Sequence, residues 1–396
     1  MRARYYGHFD TDISAMNRAT LTLSLTLLLA PAAFTVESRE LRFPPLTDGR
    51  LVLSVDTHTH SVFSDGHVWP TVRVWEANKD RLDAVAITEH LEYQPHRADI
   101  PHPDRNRAFV LADTENRQGR EQTDLLLILG AEITRKYAPG HVNALFLNDT
   151  NPILTIQNRR EETYVNALQA LRAAKAQQGF MIWNHPAWPR DFPTGVIEIS
   201  PEQQALFDEG LIQGIEVANG DYFNDSSLQV ALDHDLTIIG ASDIHGLIDY
   251  DYDMEAGGHR TVTLAFTKNR SVEGIANALF QQQTVALFDG QFIGREAELL
   301  TLFNSLVTFE RLPPRETDSQ QTAVRIRNAG PIAIELEVTG DVSLNKSTGY
   351  ITVPARGSTM VTVLDRAAME PIALTLAWLN SWQAPKTHAE LRISLP

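Results

Sequence analysis

Leu51-Val52-Leu53-Ser54-Val55-Asp56-Thr57-His58-Thr59-His60-Ser61 runs from an apolar stretch straight into two histidines one residue apart, and Ser64-Asp65-Gly66 follows as a turn. Residues i and i+2 of an extended strand face the same side, so His58 and His60 can present their imidazoles to one ion. A His-x-His pair alone also arises by chance on surfaces. Its weight here comes from repetition. Four later apolar runs end in potential ligands, in Ile87-Thr88-Glu89-His90, Leu129-Gly130-Ala131-Glu132, Ile182-Trp183-Asn184-His185-Pro186 and Ala241-Ser242-Asp243-Ile244-His245. Gly140-His141-Val142-Asn143 does the reverse, its histidine opening a run.

Outward from this stretch, apolar runs alternate with helix-like segments. Strands are expected at 51–55, 84–88, 125–129, 142–147, 180–183, 214–217, 237–240, 261–266 and 284–288. Several are apolar throughout, as parallel strands covered on both faces are. Helices are expected from Pro70 to about Arg81, over 162–178, after Ser200-Pro201-Glu202-Gln203 and over 271–283. Repeated strand and helix units with short connections imply parallel pairing and right-handed crossovers, and seven or more favour a barrel over an open sheet. In such a barrel the chemistry sits at the carboxyl ends of the strands, which is where nearly every candidate ligand falls.

At 396 residues the chain is long for one domain. Residues 1–33 read as a signal peptide: Arg18, an apolar core over 19–30, then Pro31-Ala32-Ala33. The core is too short to span a bilayer, so an exported protein, periplasmic or secreted, with no span in its mature chain is expected. A frayed N-terminal helix is the alternative. Residues 34–49 read as a linker, 50–294 as the barrel, and 295–321 as a linking helix followed by a linker holding Pro313-Pro314. Short alternating segments over 322–396, with turns at Asn328-Ala329-Gly330 and Ala355-Arg356-Gly357, suggest a small all-β sandwich-like domain. It holds no ligand cluster, so a structural or docking role, with no partner specified, is the default. There is no cysteine, hence no disulfide and no thiolate ligand. The formal net charge of −16, without a basic stripe, speaks against long nucleic acids. Small phosphorylated substrates stay open, because divalent cations reverse the local sign of a site.

Together, His58-Thr59-His60-Ser61 with Ser64-Asp65-Gly66, Thr88-Glu89-His90, Gly130-Ala131-Glu132, Gly140-His141, Asn184-His185-Pro186 and Ser242-Asp243-Ile244-His245 resemble the PHP (polymerase and histidinol phosphatase) family over about residues 50–290. All nine metal-ligand positions of that family have an appropriate residue here. The resemblance implies an α/β fold, a distorted (β/α)7 barrel of TIM-like form, with up to three divalent ions (zinc, manganese or iron) and phosphoester hydrolysis as the commonest activity. Carried over by motif, it places His58, His60, Glu132 and Asp243 on a first ion, Asp65, His90 and His245 on a second, and Glu132, His141 and His185 on a third. Imidazole suits such ions, and a bridging carboxylate reduces repulsion between neighbouring cations. Asp65 stands where some members place histidine, which shifts the second position toward manganese or iron. Glu89 stands where Asp is more usual and is not counted as a ligand.

The implied mechanism is attack on phosphorus by a bridging water that the ions deprotonate at neutral pH, with no protein nucleophile. Asp65, Asp243 or a ligand histidine, His185 being the one singled out, would assist proton transfer as catalytic residues; the general acid stays open. Arg97, Arg135 and Arg260 are the candidate substrate-binding residues, since a guanidinium fork suits phosphate, although a salt-bridged arginine is the competing reading. Arg97 lies in a long loop, 91–107, read as a lid. Trp183 and Trp188 could stack a substrate ring, yet aromatic residues near strand ends usually complete the core. Asn143 and Asn219 are either orienting partners of ligands or turn residues. The expected activity is hydrolysis of a small phosphomonoester or nucleotide-like substrate. The alternatives are a phosphodiesterase or nuclease on the same fold, and a binding module without catalysis.

Overall fold

The computed structural model describes residues 40–119, 123–156, 159–187, 194–254, 256–313, 321–364 and 372–395. The expected signal peptide, residues 34–39 of the linker after it and Trp188 lie outside the described residues. In chain order the first part comprises β1 (Leu51–Asp56), α1 (Pro70–Lys79), β2 (Ala84–Ile87), α2 (Arg107–Gln118), β3 (Leu126–Thr134), β4 (His141–Leu145), α3 (Tyr164–Ala176), β5 (Phe180–Trp183), α4 (Pro201–Asp208) and β6 (Gly214–Asn219). Then come β7 (Tyr222–Phe223), α5 (Asp225–Asp233), β8 (Thr237–Ala241), α6 (Ile248–Asp251), β9 (Val262–Thr267), α7 (Val272–Phe280), β10 (Thr284–Phe288) and β11 (Gln291–Gly294). Local chemistry explains several starts: Thr163 and Ser200 form capping boxes with Asn166 and Gln203, and the hydroxyl of Ser271 caps α7.

These strands form one mixed sheet in the order β11-β10-β9-β1-β2-β3-β4-β5-β6, with β7 and β8 both on β6. The sheet curls until β8 meets β9 and β10, and there side chains replace the ladder. Gly240 N–H donates to Thr263 Oγ1 (3.0 Å), the Thr263 hydroxyl donates to Gly240 O (2.8 Å), and the Thr284 hydroxyl donates to Ile238 O (2.8 Å). Strands β2, β5, β8 and β9 are buried along their whole length, as their apolar composition anticipates.

The expected uniform parallel repeat does not hold. The pairs β1/β2, β2/β3, β5/β6 and β6/β8 are parallel, but β4 is antiparallel to both β3 and β5, and β9 is antiparallel to β1. Residues 135–140 are too few for a crossover, which takes about a dozen or more. The reversal has a functional consequence: the amino end of β4, with His141, lies at the same rim as the carboxyl ends of its neighbours.

Helix α8 (Glu296–Leu306) runs directly into β12 (Val307–Arg311), followed by β13 (Gln321–Asn328), β14 (Ile334–Val338), β15 (Ser343–Leu344), β16 (Tyr350–Val353), β17 (Ser358–Leu364), β18 (Ile372–Trp378), β19 (Ser381–Trp382) and β20 (Ala389–Leu395). Two four-stranded sheets result, β12-β13-β17-β15 and β16-β14-β18-β20. The all-β part therefore begins at Val307, inside the stretch read as a linker, because β12 pairs with β13. It is also stitched to the barrel. Strand β19 pairs with β11, and Trp378 packs its ring 4.9 Å from Phe292 and 5.2 Å from Phe303.

Candidate metal centre

One rim of the curled sheet collects all nine expected ligands. His58 and His60 follow β1, His90 follows β2, Glu132 sits within β3, His141 opens β4, His185 follows β5, and Asp243 and His245 follow β8. Bridges between Thr59 and Ile244 and between His90 and Glu132 lock neighbouring strand ends together. Asp65 reaches the rim from a turn that folds back so tightly that a Cβ on Gly66 would lie 2.7 Å from the backbone nitrogen of Ser61. His185 and Asp243 have φ of +28° and +50°, a left-handed conformation uncommon for side-chain-bearing residues and concentrated at functional sites.

The donor atoms face one another at short range. His58 Nε2 and His60 Nε2 are 2.9 Å apart, and Asp243 Oδ1 lies 3.2 and 3.1 Å from them. Glu132 Oε2 lies 3.5 and 3.4 Å from the same two nitrogens. Adjacent ligands bound at about 2.0–2.1 Å to one ion stand roughly 3.0–3.4 Å apart, so these separations fit a common cation. Asp65 Oδ1 is 3.3 Å from His90 Nε2 and 3.1 Å from His245 Nε2. On the other side, Glu132 Oε2 is 2.6 Å from His90 Nδ1, and Glu132 Oε1 is 2.8 Å from His141 Nδ1 and 3.8 Å from His185 Nε2.

Three groups emerge in which every donor lies within 4.8 Å of the others: His58, His60 and Glu132; His60, Asp65, His90 and His245; and His90, Glu132 and His141. His60 and His90 thus stand between groups that the carried-over assignment kept apart. Asp65 Oδ1, Glu132 Oε2, His141 Nδ1 and Asp243 Oδ1 are buried and make no hydrogen bond, despite the close approaches just given. Buried polar atoms are nearly always paired, and proximity without alignment is what lone pairs aimed at a shared centre produce. The donor chemistry, imidazole with carboxylate and no thiolate, fits zinc, manganese or iron.

Electrostatics point the same way. Burial pushes His60 down, and the neighbouring His90 pushes it further, to about 3. Burial also opposes charge on His90, but Glu132 and Asp65 outweigh it and raise that imidazole to about 10. His58 is raised well above its ordinary value against its burial, by Asp243, Glu216 and Glu132. Burial would raise Glu132, yet His90, His141 and His58 hold it well below the usual carboxylate range, and Asp243 is depressed in the same way. Divalent cations would take the place of the protons in these pairings.

Around the donors lies a ring of supporting bonds. Glu89 accepts from the backbone N–H of Ser61 (3.1 Å) and from the hydroxyls of Ser61 and Ser64, and Ser64 Oγ lies 3.2 Å from His60 Nδ1. Asn184 Nδ2 donates to Glu132 Oε1 (3.1 Å), while its oxygen accepts from Asn143 N–H. Asn219 Nδ2 donates to Glu216 Oε2 (2.8 Å), and Asn143 Nδ2 donates to the backbone oxygen of Thr57 (3.2 Å), next to His58. Two supporting residues escaped sequence reasoning. Arg73 is buried in α1 and donates to the backbone oxygens of His60, Ile244 and His245, clamping two ligand loops. Glu216 is a fully buried carboxylate in β6 beside His58 and His185. A lone charge in an otherwise apolar strand was the available signal.

Two expected substrate arginines are corrected. Arg260 is 0% exposed and is held by Asp80 (2.5 Å) and Asp56 (3.2 Å), so it braces the loops from beneath. Arg135 is buried and paired with Glu92 at 2.6 Å. Arg97 is exposed and does not line the cleft above the donors. Trp183 is buried and packs near Phe207, which makes it core rather than a stacking platform. The cleft has a volume of about 520 Å³, with Tyr93 and Thr134 on one wall and Asn219 on another.

A crystal structure of a two-domain protein from Bacteroides vulgatus ATCC 8482, described as containing a predicted PHP-like metal-dependent phosphoesterase, is 40% identical to this chain and superposes with a TM-score of 0.81, covering 90% of this chain and 98% of its own. The chain belongs to the PHP-like metal-dependent phosphoesterase family. The match to this PHP-like relative extends over barrel and sandwich alike. A protein from Bifidobacterium adolescentis ATCC 15703 proposed to be a metal-dependent phosphoesterase (20% identity) and an amidohydrolase from Chromobacterium violaceum (15%) each cover 49% of this chain and 88% of their own. At a TM-score of 0.36 for each, neither likeness bears on fold or function. No family model and no curated protein matches the sequence.

Proposed function

We propose that this chain is an exported, multinuclear metal-dependent hydrolase of phosphoesters, acting on a small phosphomonoester or nucleotide-like substrate. The observation that carries the reading is the convergence of the nine residues, seven lining one cleft and His58 and His60 buried against Glu132 and Asp243 beside it, with four presenting buried atoms without a hydrogen bond. Divalent ions held there would supply Lewis acidity toward phosphoryl oxygens and lower the pKa of a water. The chain's own residues do the rest. Asp243 Oδ2 and His185 Nε2 face the same cleft 4.0 Å apart, each within reach of a substrate or water set between them, and Asp65 Oδ1 lies between His90 and His245. None of the described residues lining the cleft is a lysine or arginine, so recognition of phosphate falls to the ions.

A volume of about 520 Å³ suits a small molecule. The net charge of −16 disfavours long polyanions. One observation favours a second reading, a phosphodiesterase. A further recess of about 580 Å³ shares His185, Asn219 and Asp243 with the cleft and has room for a second ester substituent. The sandwich, which shares a core with the barrel, is assigned a structural role.

The test compares phosphate release from an aryl phosphate with cleavage of the corresponding diaryl phosphate by the purified chain with manganese, zinc or iron. Monoester turnover should exceed diester turnover, and His185→Ala should lower it by a factor on the order of 100 or more. Wild-type activity in that variant would refute the site.

A further inference from the structure

We infer that Glu216 is a positioning residue that couples two ion positions, so that one carboxylate governs the occupancy of the first and the third together. The inference rests on the multinuclear centre proposed above. Glu216 lies in β6, between Ile215 and Val217, and is 1% exposed. A buried carboxylate without partners is costly, and here each of its oxygens is engaged by a different part of the centre. Oε1 lies 2.8 Å from His58 Nδ1. Oε2 accepts from the backbone N–H of His185 (2.7 Å) and from Asn219 Nδ2 (2.8 Å).

The chemistry of each bond fixes something. A carboxylate only accepts, so the proton of a neutral His58 stays on Nδ1, and the Nε2 lone pair points to the side where His60, Glu132 and Asp243 gather. The bond to His185 anchors the backbone of a residue with a φ of +28°, a conformation that needs such an anchor. From there the His185 ring stacks on His58, with centroids 6.1 Å apart, and reaches toward Glu132. His58 belongs to the first donor group, and His185 faces the third.

Replacing the carboxylate by an isosteric amide exposes the coupling. If the amide oxygen of Glu216→Gln faces His58, its NH2 meets the N–H groups of His185 and Asn219, donor against donor. If the oxygen faces those groups, the NH2 meets His58 Nδ1 and forces the proton onto Nε2, where an ion would bind. Neither orientation serves both ligands.

The experiment uses the full chain, stripped with a chelator and titrated with cobalt(II). Bound equivalents are counted by elemental analysis, and the visible cobalt spectrum is recorded. Glu216→Gln should weaken two equivalents together, by about 10–100-fold, and alter the cobalt bands. His185→Ala should weaken one. The stripped variants should keep the far-ultraviolet dichroism of the wild type, which separates positioning from folding. Should Glu216→Gln fail to fold, Asn219→Ala, which removes one bond to Oε2, should weaken the same two equivalents less. Wild-type affinity and spectrum in the variant that folds, or loss of a single equivalent from Glu216→Gln, would overturn the coupling. A wild-type chain that binds ions but hydrolyses no ester would overturn the proposed activity and leave the coupling to stand or fall on this titration.

Discussion

Two buried charged regions lie back to back in the barrel, and they differ in one respect. Beneath the rim, Arg260 with Asp56 and Asp80, and Arg73 with Glu76 and three backbone oxygens, form clusters in which guanidinium and acceptor groups meet at 2.5–3.3 Å. At the rim, carboxylates and imidazoles approach as closely, yet four of their atoms make no hydrogen bond. The lower region is complete in itself. The upper one has donors that divalent cations would complete. Burial and charge are shared by both, and these two regions differ in whether their close approaches are aligned hydrogen bonds.

The largest effect should come from breaking the brace. Arg260→Ala leaves Asp56 and Asp80 buried without their cation, and should cost about 3–5 kcal/mol, read by urea unfolding equally with and without metal. At the rim the dependence on metal should reverse. Each ion at 100 times its Kd should stabilise the wild type by about 2.7 kcal/mol, seen as a higher Tm that a chelator abolishes, and His58→Ala should lose part of that gain. Smaller again is the supporting ring. Glu89→Gln, which disturbs the Ser64 contact with His60, should weaken ion binding about 10–100-fold without removing it, measured by competition with a chromophoric chelator.

A pH experiment sharpens the same contrast. His259 is buried, with Nδ1 2.9 Å from Arg260 O and Nε2 accepting from Gly290 N–H, and burial holds its pKa below 6.5. Its folded pKa being depressed, its contribution is present above the unfolded value of about 6.5 and lost as pH falls toward the folded one. Urea midpoints at pH 7.5 and 5.5 should therefore differ more for the wild type than for His259→Gln. The smallest effect is expected of Arg97→Ala on the exposed loop, within about 0.5 kcal/mol of the wild type.

Much of the fold was legible because strand ends and ligands coincide. Phe180–Trp183 and Thr284–Phe288 lie where their apolar runs end, and six of the nine expected ligands follow directly on a strand, whereas Glu132 lies within β3, His141 opens β4 and Asp65 sits in a turn. The direction of β4 was not legible from its own residues, since an apolar run reads alike both ways; only the shortness of 135–140 reverses it. Strand β12 was hidden because Val307 follows Leu306 with no glycine or proline between helix and strand. Arg260 was placed correctly at a strand start but misread in role, because its partners lie 204 and 180 residues away. Glu216 was the missed opportunity: a charge between apolar neighbours in a buried strand demands a partner, though which one depends on the fold.

Whether the rim is a cage for cations is decided by a crystal of the full chain grown with manganese and recorded at wavelengths on either side of its absorption edge. Anomalous peaks are expected among His58, His60, Asp65, His90, Glu132, His141, His185, Asp243 and His245. A map with no peak among these side chains, from protein saturated with the ion, would contradict such a cage.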